Sequence, residues 1–552
     1  AVDGTHYIKG MAIYKDDLPD GVDIVFNTNK KNTGNKLDAL KALKDDPDNP
    51  FGATVRQIVS KDKNGKEVVT SAMNLVNEEG SWGNWSKNLP SQFLSKQSIA
   101  LAKQQLDLAY QAKKQDYDEI KSLTNPAVKK KLLESFADDV DSSAVHLKAA
   151  ALPRQKTHVI IPVPSLKDTE IYAPNYRNGE SVVLIRFPQI PELKVNNRQP
   201  AAKKLLGDSP DAVGINSKVA ERLSGADFDG DTVLVIPNNG KTVKNSPALR
   251  GLKNFDPKTA YPAYDGMKVI TPKGKQHAMG DVSNLISDMT IKGATTDEVA
   301  RAVRHSMVVI DAEKHKLNYK QSYSDNGIAA LKEKYQGGAR KGASTLISRA
   351  SSQQTVLKRK ERSFSEGGPI DAKTGKKVYT NTNESYVNKA GKTVFKTQTS
   401  TKMAETDDAR TLSSGTRIEN VYANHANRLK SLANDARKTM LAVKPIKQNK
   451  SAKEIYAPQV KKLQSDLNVA LKNAPLERKA QVLGNTVFKA KLAANPDMTS
   501  DEIKRTKGQA LVAARAKVGA RKTPVEISAK EWEASQAGAI SNSMLSSILD
   551  NA

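Results

Sequence analysis

No cysteine occurs among the 552 residues. That absence excludes disulfides, thiolate nucleophiles, sulfur-bound zinc and iron–sulfur clusters together. Any metal must then be held by oxygen or imidazole. No run approaches the roughly 20 apolar residues of a membrane span, and the N-terminus AVDGTHYIKG has neither the charged region nor the apolar region of a signal peptide. A cytoplasmic setting without a membrane partner is expected. The chain also starts at Ala1 without a methionine, as a processed product or a fragment would. Acidic residues are scarce relative to basic ones, 60 against 87, leaving a formal charge of +27. The surplus is uneven: residues 331–552 carry 41 basic and 20 acidic side chains (41 − 20 = +21), and residues 1–330 carry 46 and 40 (46 − 40 = +6). A long polyanion, nucleic acid first, is the natural partner of the second part.

At about 150 residues per domain the length suggests three to four structural units. Residues 1–90 read as a small β unit, with YIKGMAIY (7–14), the turn DDLPDG (16–21) and VDIVFN (22–27). Residues 91–152 read as a helical connector, with Leu94, Leu101 and Leu108 one heptad apart. A second β unit at 153–275 holds the apolar strands THVIIPV (157–163), SVVLIRF (181–187) and TVLVIP (232–237), whose irregular spacing favours a barrel over a doubly wound sheet. Residues 276–362 are predicted helical, with a capping box at Thr295 and Glu298 and a face of Val299, Val303, Met307 and Ile310. Residues 363–400, rich in Gly, Lys, Thr and Asn, read as an exposed insertion. Residues 401–552 read as a basic helical region broken near Pro445, Pro458, Pro475, Pro496 and Pro524.

The most informative stretch is SGADFDGDTVLVIP at 224–237. Asp227, Asp229 and Asp231 alternate, so on a strand or tight loop they point to one side. Three such charges repel unless a cation sits among them. Hard oxygen donors select Mg²⁺ or Mn²⁺, and Gly230 permits the backbone curl that brings them together. Open-sided carboxylates on a divalent metal are the apparatus of two-metal phosphoryl or nucleotidyl transfer. A calcium loop counted from Asp227 needs Gly and Glu at its sixth and twelfth positions, which here are Thr232 and Asn238. A solvated acidic turn is the plain alternative.

ADFDGD resembles the signature of the largest catalytic subunit of cellular multisubunit RNA polymerases. The wider SGADFDGD is closer to the form found in the two-barrel polymerases of RNA silencing and their single-chain bacteriophage relatives. Upstream, VVLIRFPQIPELKV (182–195) is similar to that superfamily's strand ending in Arg-x-Pro, which matches Arg186 and Pro188. KDDLPDGVDIVFN (15–27) resembles a stretch of the other catalytic subunit, with Lys9-Gly10 where that barrel carries the second of its two active-site lysines. LSKQSIALAKQQL (95–107) and VVIDAEKHK (308–316) are weaker echoes.

The resemblance implies an α+β fold: two double-psi β-barrels, the first truncated at its N-terminus, joined by helices and followed by a mostly helical C-terminal region. It implies an enzyme that makes RNA on a template from NTPs, with Asp227, Asp229 and Asp231 as catalytic residues and ligands of Mg²⁺ (or Mn²⁺). It gives Arg186 and Lys9 roles at the incoming nucleotide. By the family's spacing the first lysine lies at or before Ala1, so an upstream remainder of the polypeptide or a partner chain would complete the first barrel. Gly225 stands where cellular polymerases carry the Asn that helps recognise ribose, which moves that task to Arg186 or elsewhere.

The plain readings are a rim salt bridge for Arg186 and a solvated surface residue for Lys9. The run from Lys334 to Lys360 has seven basic residues and no acidic one. Arg340, Lys341, Arg349, Lys358, Arg359 and Lys360 are its candidate contacts to template or hybrid, against a merely solvated face. Polymerases of the resembled type use mobile elements beside the site, which makes 401–430 a candidate mobile loop and its His425 a candidate proton donor, with a structural histidine as the commoner case. The compact chain without zinc modules favours a viral DNA-directed RNA polymerase acting in the host cytoplasm or carried in a virion. The alternatives are an RNA-directed RNA polymerase, a non-catalytic basic virion or nucleic-acid-binding protein that retains the fold, and a metal-dependent nuclease.

Overall fold

The computed structural model of the chain describes residues 5–8, 20–22, 40–43, 56–61, 67–75, 94, 97–147, 154–186, 189–223, 226, 228, 231–246, 249, 251–252, 255–388, 390–495, 498, 500–521 and 525–550. Of the N-terminal unit these include two antiparallel pairs: β1 (His6–Ile8) with β2 (Leu40–Ala42), and β3 (Arg56–Lys61) with β4 (Glu67–Leu75). Lys9 and nearly all of the strand expected at 22–27 lie outside the described residues, as does most of the expected first barrel.

The second β unit closes. β5 (Lys156–Pro162), β6 (Glu170–Tyr172), β7 (Ser181–Ile185), β8 (Glu192–Val195), β9 (Ala212–Ile215) and β10 (Thr232–Pro237) form a six-stranded barrel in the order β10-β5-β9-β6-β8-β7. β5 and β9 run parallel, as do β6 and β8, and the remaining neighbours are antiparallel. Among the described residues this is the one closed barrel. The longer strands are apolar without alternation because both faces are covered. Val182 and Leu184 of β7 and Val233 and Val235 of β10 point into the barrel. Val183, Ile185, Leu234 and Ile236 point out against Leu101 and Val243. On the other flank Val159, Ile161 and Tyr172 pack with Ala202 and Leu206. Gly214 belongs there for a spatial reason: a Cβ at that position would lie 2.7 Å from Val163 Cγ2 and 2.8 Å from Leu206 Cδ1. The short strands β6 and β9 escape detection from sequence because three or four residues carry too little period.

The barrel strands end at Pro237, and Leu249 and Leu252 already pack on the helical body that follows. α1 (Ile99–Ser122) starts under Ser98, whose hydroxyl accepts from Leu101 N. Leu94 and Leu101 are buried as expected, but Leu108 is 46% exposed. The heptad fails there because only the first turns of α1 lie on the barrel; Leu106 turns instead toward Tyr422 and Ala426. α2 (Pro126–His146) and α6 (Arg417–Ala442) pack through Leu133, Phe136 and Val140 against Leu429, Leu432 and Ala436. The connector and the C-terminal region therefore share a core.

α3 (Pro272–Ile291), α4 (Thr296–Asp311) and α5 (Ile328–Gln336) form a second helical cluster. The capping box of Thr295 and Glu298 is present at the start of α4. Val299 and Val303 are buried, whereas Ile310 is 55% exposed, since the last turn of α4 packs through Val308 against Ile270 and Leu317 instead.

Two expectations fail in the C-terminal region. Residues 417–430 belong to α6, with a capping box at Thr416 and Glu419 and with the Tyr422 hydroxyl donating to Leu94 O at 2.6 Å. They form no loop. Pro475 does not break its helix but lies inside α7 (Ala457–Ala494), which packs along α8 (Ser500–Val518); tertiary contact outweighs the one backbone bond lost at proline. Among the described residues no helix is long and apolar enough to cross a membrane.

Two buried histidines tie this framework to pH. His158 in β5 sits between the Lys156 carbonyl (3.1 Å from Nδ1) and the Asn175 amide (3.2 Å from Nε2). The same amide group donates to Pro210 O at 2.6 Å, so it presents N–H to a neutral ring nitrogen. His305 in α4 lies 3.0 Å from the Ser322 hydroxyl. Burial pushes both down to about 4 from 6.5. With a folded value below the unfolded one, each histidine disfavours the folded state once the unfolded chain takes up the proton. Stability should be full above pH 6.5, fall by roughly 3 kcal/mol per histidine down to pH 4, and level off below. Thermal melts across that window on the parent and on His305→Gln check this; the variant should lose part of the slope.

Candidate active site

Arg186 and Asp231 are brought together by strand pairing. β7 and β10 run antiparallel with Ile185 opposite Leu234, so the end of one strand adjoins the start of the other. Arg186 follows β7 and is held by reciprocal backbone bonds with Gln189 (3.4 and 3.2 Å). Asp231 precedes β10, and its carbonyl accepts from Ile160 N at 3.1 Å, which extends the β10–β5 ladder by one bond. The two side chains meet as an ion pair, Nη1 to Oδ2 2.8 Å, each about one quarter exposed. The rim salt bridge considered for Arg186 is thus present, and its partner is the last aspartate of the SGADFDGD motif.

The described residues before Asp231 line the barrel interior. Asn216 caps the turn Ser217–Ala220 by accepting from Lys218 N at 3.0 Å, and its amide donates to Pro164 O and Leu166 O at 3.1 and 2.9 Å. Val219, Ala220, Leu223 and Ala226 then fill the core, and Phe228 is 3% exposed among the inward side chains of the strands. The apolar residue within the acidic motif is a core residue. Asp227, Asp229 and Gly230 lie outside the described residues. Asp231 offers one hard oxygen donor. Among the described residues no three His, Asp or Glu side chains gather as a metal group. An all-carboxylate donor set in a chain without cysteine suits Mg²⁺ or Mn²⁺.

The basic run divides by what each cation touches. Lys334 pairs with Glu298 at 2.6 Å, and Lys334 together with the Tyr335 hydroxyl pulls that carboxyl down to about 2. Arg349 donates to the carbonyls of Ala343 and Leu412 at 3.2 and 3.3 Å. Lys358 pairs with Glu384 and Arg359 with Glu405. These four help hold the fold. Arg340, Lys341 and Lys360 are exposed. Arg340 and Lys341 ride on the loop between α5 and the short helix Leu346–Arg349, whose far end is fixed by Asp288 and Lys292. His425 is buried at 2% on the packed side of α6, where a structural role fits it better than proton donation to a substrate.

Sequence reading missed two buried carboxylates. Asp288 and Glu419 both converge on residues 344–348. Glu419 accepts from Leu346 N at 2.7 Å, Ser414 N at 3.0 Å and the Thr416 hydroxyl at 2.6 Å. Burial pushes its carboxyl up, but the hydroxyls of Ser414 and Thr416 and the backbone N–H groups outweigh that and leave it lowered. The capping pattern Thr416-x-x-Glu419 was the available signal; Asp288 carried none.

No protein-family model matches the chain, and no curated protein matches it.

Proposed function

We propose that the chain is a template-directed RNA polymerase of the two-barrel kind, joining nucleotides from NTPs at the end of the barrel where SGADFDGD meets β10. In this reading the barrel is of the double-psi type, and Asp227, Asp229 and Asp231 hold the divalent cation. When bound, that ion supplies charge stabilisation at the primer 3′-hydroxyl and the transferred phosphate. Arg186 offers its planar fork to the incoming nucleotide. Lys9 and the exposed Arg340, Lys341 and Lys360 take the triphosphate and the nucleic-acid backbone. A viral enzyme using a DNA template is the preferred form.

The observation that carries this reading is the pairing of Arg186 with Asp231 at 2.8 Å. Two residues picked separately from motifs 45 positions apart meet at one end of a closed barrel. The same pair also favours a second reading. A carboxylate already neutralised by an arginine needs no metal, as in a basic nucleic-acid-binding protein that keeps the fold without turnover.

Primer extension on DNA and RNA templates with NTPs and Mg²⁺ separates the two. Template-dependent extension that disappears in Asp229→Ala is expected. A parent chain that binds the primer–template but never extends it would sink the polymerase reading and leave the binding protein. Nuclease products would point to the same carboxylates cutting rather than joining.

A further inference from the structure

Residues 353–401 form a forked β arm. The stem pairs β11 (Gln353–Leu357) with β16 (Thr397–Thr401). One branch pairs β12 (Arg359–Glu361) with β13 (Tyr379–Asn381), and the other pairs β14 (Ser385–Val387) with β15 (Thr393–Phe395). The fork is tied where Lys358 N donates to Lys396 O and Thr382 N to Lys358 O, both at 2.9 Å. At the same place Glu384 receives the ammonium groups of Lys358 and Lys396 at 2.6 and 3.0 Å. The first branch rests on the body: Lys377 pairs with Asp138, and Gly375 (φ +73°) passes so close to α6 that a Cβ would lie 2.1 Å from Asn434 O. On the second branch Ser385, Tyr386 and Val387 are all exposed.

The arm concentrates exposed rings. Phe364 is 89% exposed, Tyr386 53%, Phe395 54% and Tyr379 42%; the remaining exposed aromatic side chain among the described residues is Tyr264. Among the described residues the other aromatic side chains, Tyr264 apart, are packed or partly covered, so four of five on one arm is no scatter of surface residues. The same residues 353–401 carry ten basic side chains against four acidic ones. Register decides the geometry of the free branch. Tyr386 stands opposite Val394, while Phe395 stands opposite Ser385 on the other face. A partner protein lying flat on the hairpin would meet one ring. A flexible strand whose bases turn to either side can stack on both.

We infer that this forked arm grips single-stranded nucleic acid, with Phe364, Tyr386 and Phe395 stacking on bases and exposed lysines such as Lys360 and Lys392 neutralising phosphates. Rings accept any base because every base has a π face, and cations add affinity that salt weakens. The inference shares with the polymerase reading the class of partner and Lys360, and its test needs no catalysis.

The test uses the full chain carrying Phe364→Ala, Tyr386→Ala and Phe395→Ala together. Their exposure means the folded core loses little, which circular dichroism checks. Binding of labelled oligothymidine, oligouridine and a blunt duplex is titrated at several salt concentrations. The triple variant should bind both single strands roughly 30-fold more weakly or worse, with duplex binding much less affected and an unchanged salt slope. Lys360→Gln with Lys392→Gln should instead reduce the salt slope by about one to two. Equal single-strand binding by parent and triple variant would overturn the inference, as would a parent that binds neither oligonucleotide. Light scattering that finds a parent dimer and a monomeric variant would assign the rings to self-association and also overturn it. Asp229→Ala should leave this binding intact, so a parent that grips strands but extends none fails the polymerase reading alone.

Discussion

Asp231→Asn should, on the proposed polymerase reading, lower template-dependent extension by about 10²- to 10³-fold, the scale of one electrostatic contact to charge developing in a transition state. The substitution keeps volume and removes charge. On the stability side little is at stake: the ion pair with Arg186 is about one quarter exposed at each partner, so solvent screens it and its loss costs at most about 1 kcal/mol. The backbone of Asp231, which extends the β10–β5 ladder, is untouched. A melting temperature near that of the parent together with a collapsed extension rate would separate chemistry from folding. Arg186→Ala provides the matching control. If Arg186 serves the nucleotide, KM for NTP should rise more than kcat falls; if it only neutralises Asp231, neither should move by more than a few fold. An Asp231→Asn chain that extends primers as fast as the parent would remove this residue from the site.

Asp288→Ala should destabilise the chain by roughly 3–5 kcal/mol. The Asp288 side chain is completely buried in α3. It accepts from Gln336 Nε2 at 2.9 Å, from Ser344 N at 2.9 Å, from Thr345 N at 3.1 Å, from the Thr345 hydroxyl at 2.6 Å and from the Ser348 hydroxyl. Removing it leaves the Gln336 amide and Ser344 N without this acceptor and away from water, whereas Thr345 N keeps Ser348 Oγ at 3.2 Å and the Ser348 hydroxyl keeps Thr345 O at 3.1 Å; a buried donor without an acceptor forfeits its full desolvation cost. Asp288→Asn retains one acceptor oxygen but turns an N–H₂ group toward other donors, so an intermediate loss is expected. The damage should begin locally. Hydrogen exchange at Ser344 and Thr345 should accelerate first, and proteolysis should cut near Arg340 and Lys341, whose loop loses its anchor. Unchanged protection at those amides would count against this account.

Much of the barrel could be read from the chain. Val182–Ile185 and Val233–Ile236 are continuous apolar runs, and such runs form strands when both faces are to be covered. The capping box at Thr295 was equally plain because its two partners are three residues apart. Leu108 and Ile310 misled, since a helical period states which face a residue is on and not how far along the helix a neighbour extends. The stretch 401–430, expected as a mobile loop from the family resemblance, misled because what holds 417–430 as a helix is the burial of Tyr422 and Leu429 against α1 and α2, some 300 residues earlier.

By itself the sequence determined the acidic motif with its Phe228, the strand that follows it, the absence of sulfur chemistry and the excess positive charge of the second part, because each is a matter of local pattern or plain count. Only the tertiary structure decided that Arg186 meets Asp231, that Asp288 and Glu419 close on one short segment, which lysines are spent in ion pairs, and that four rings stand exposed on one arm. Those are distances between residues far apart in the chain, and they arise only when antiparallel pairing and core packing bring the ends of separate elements together.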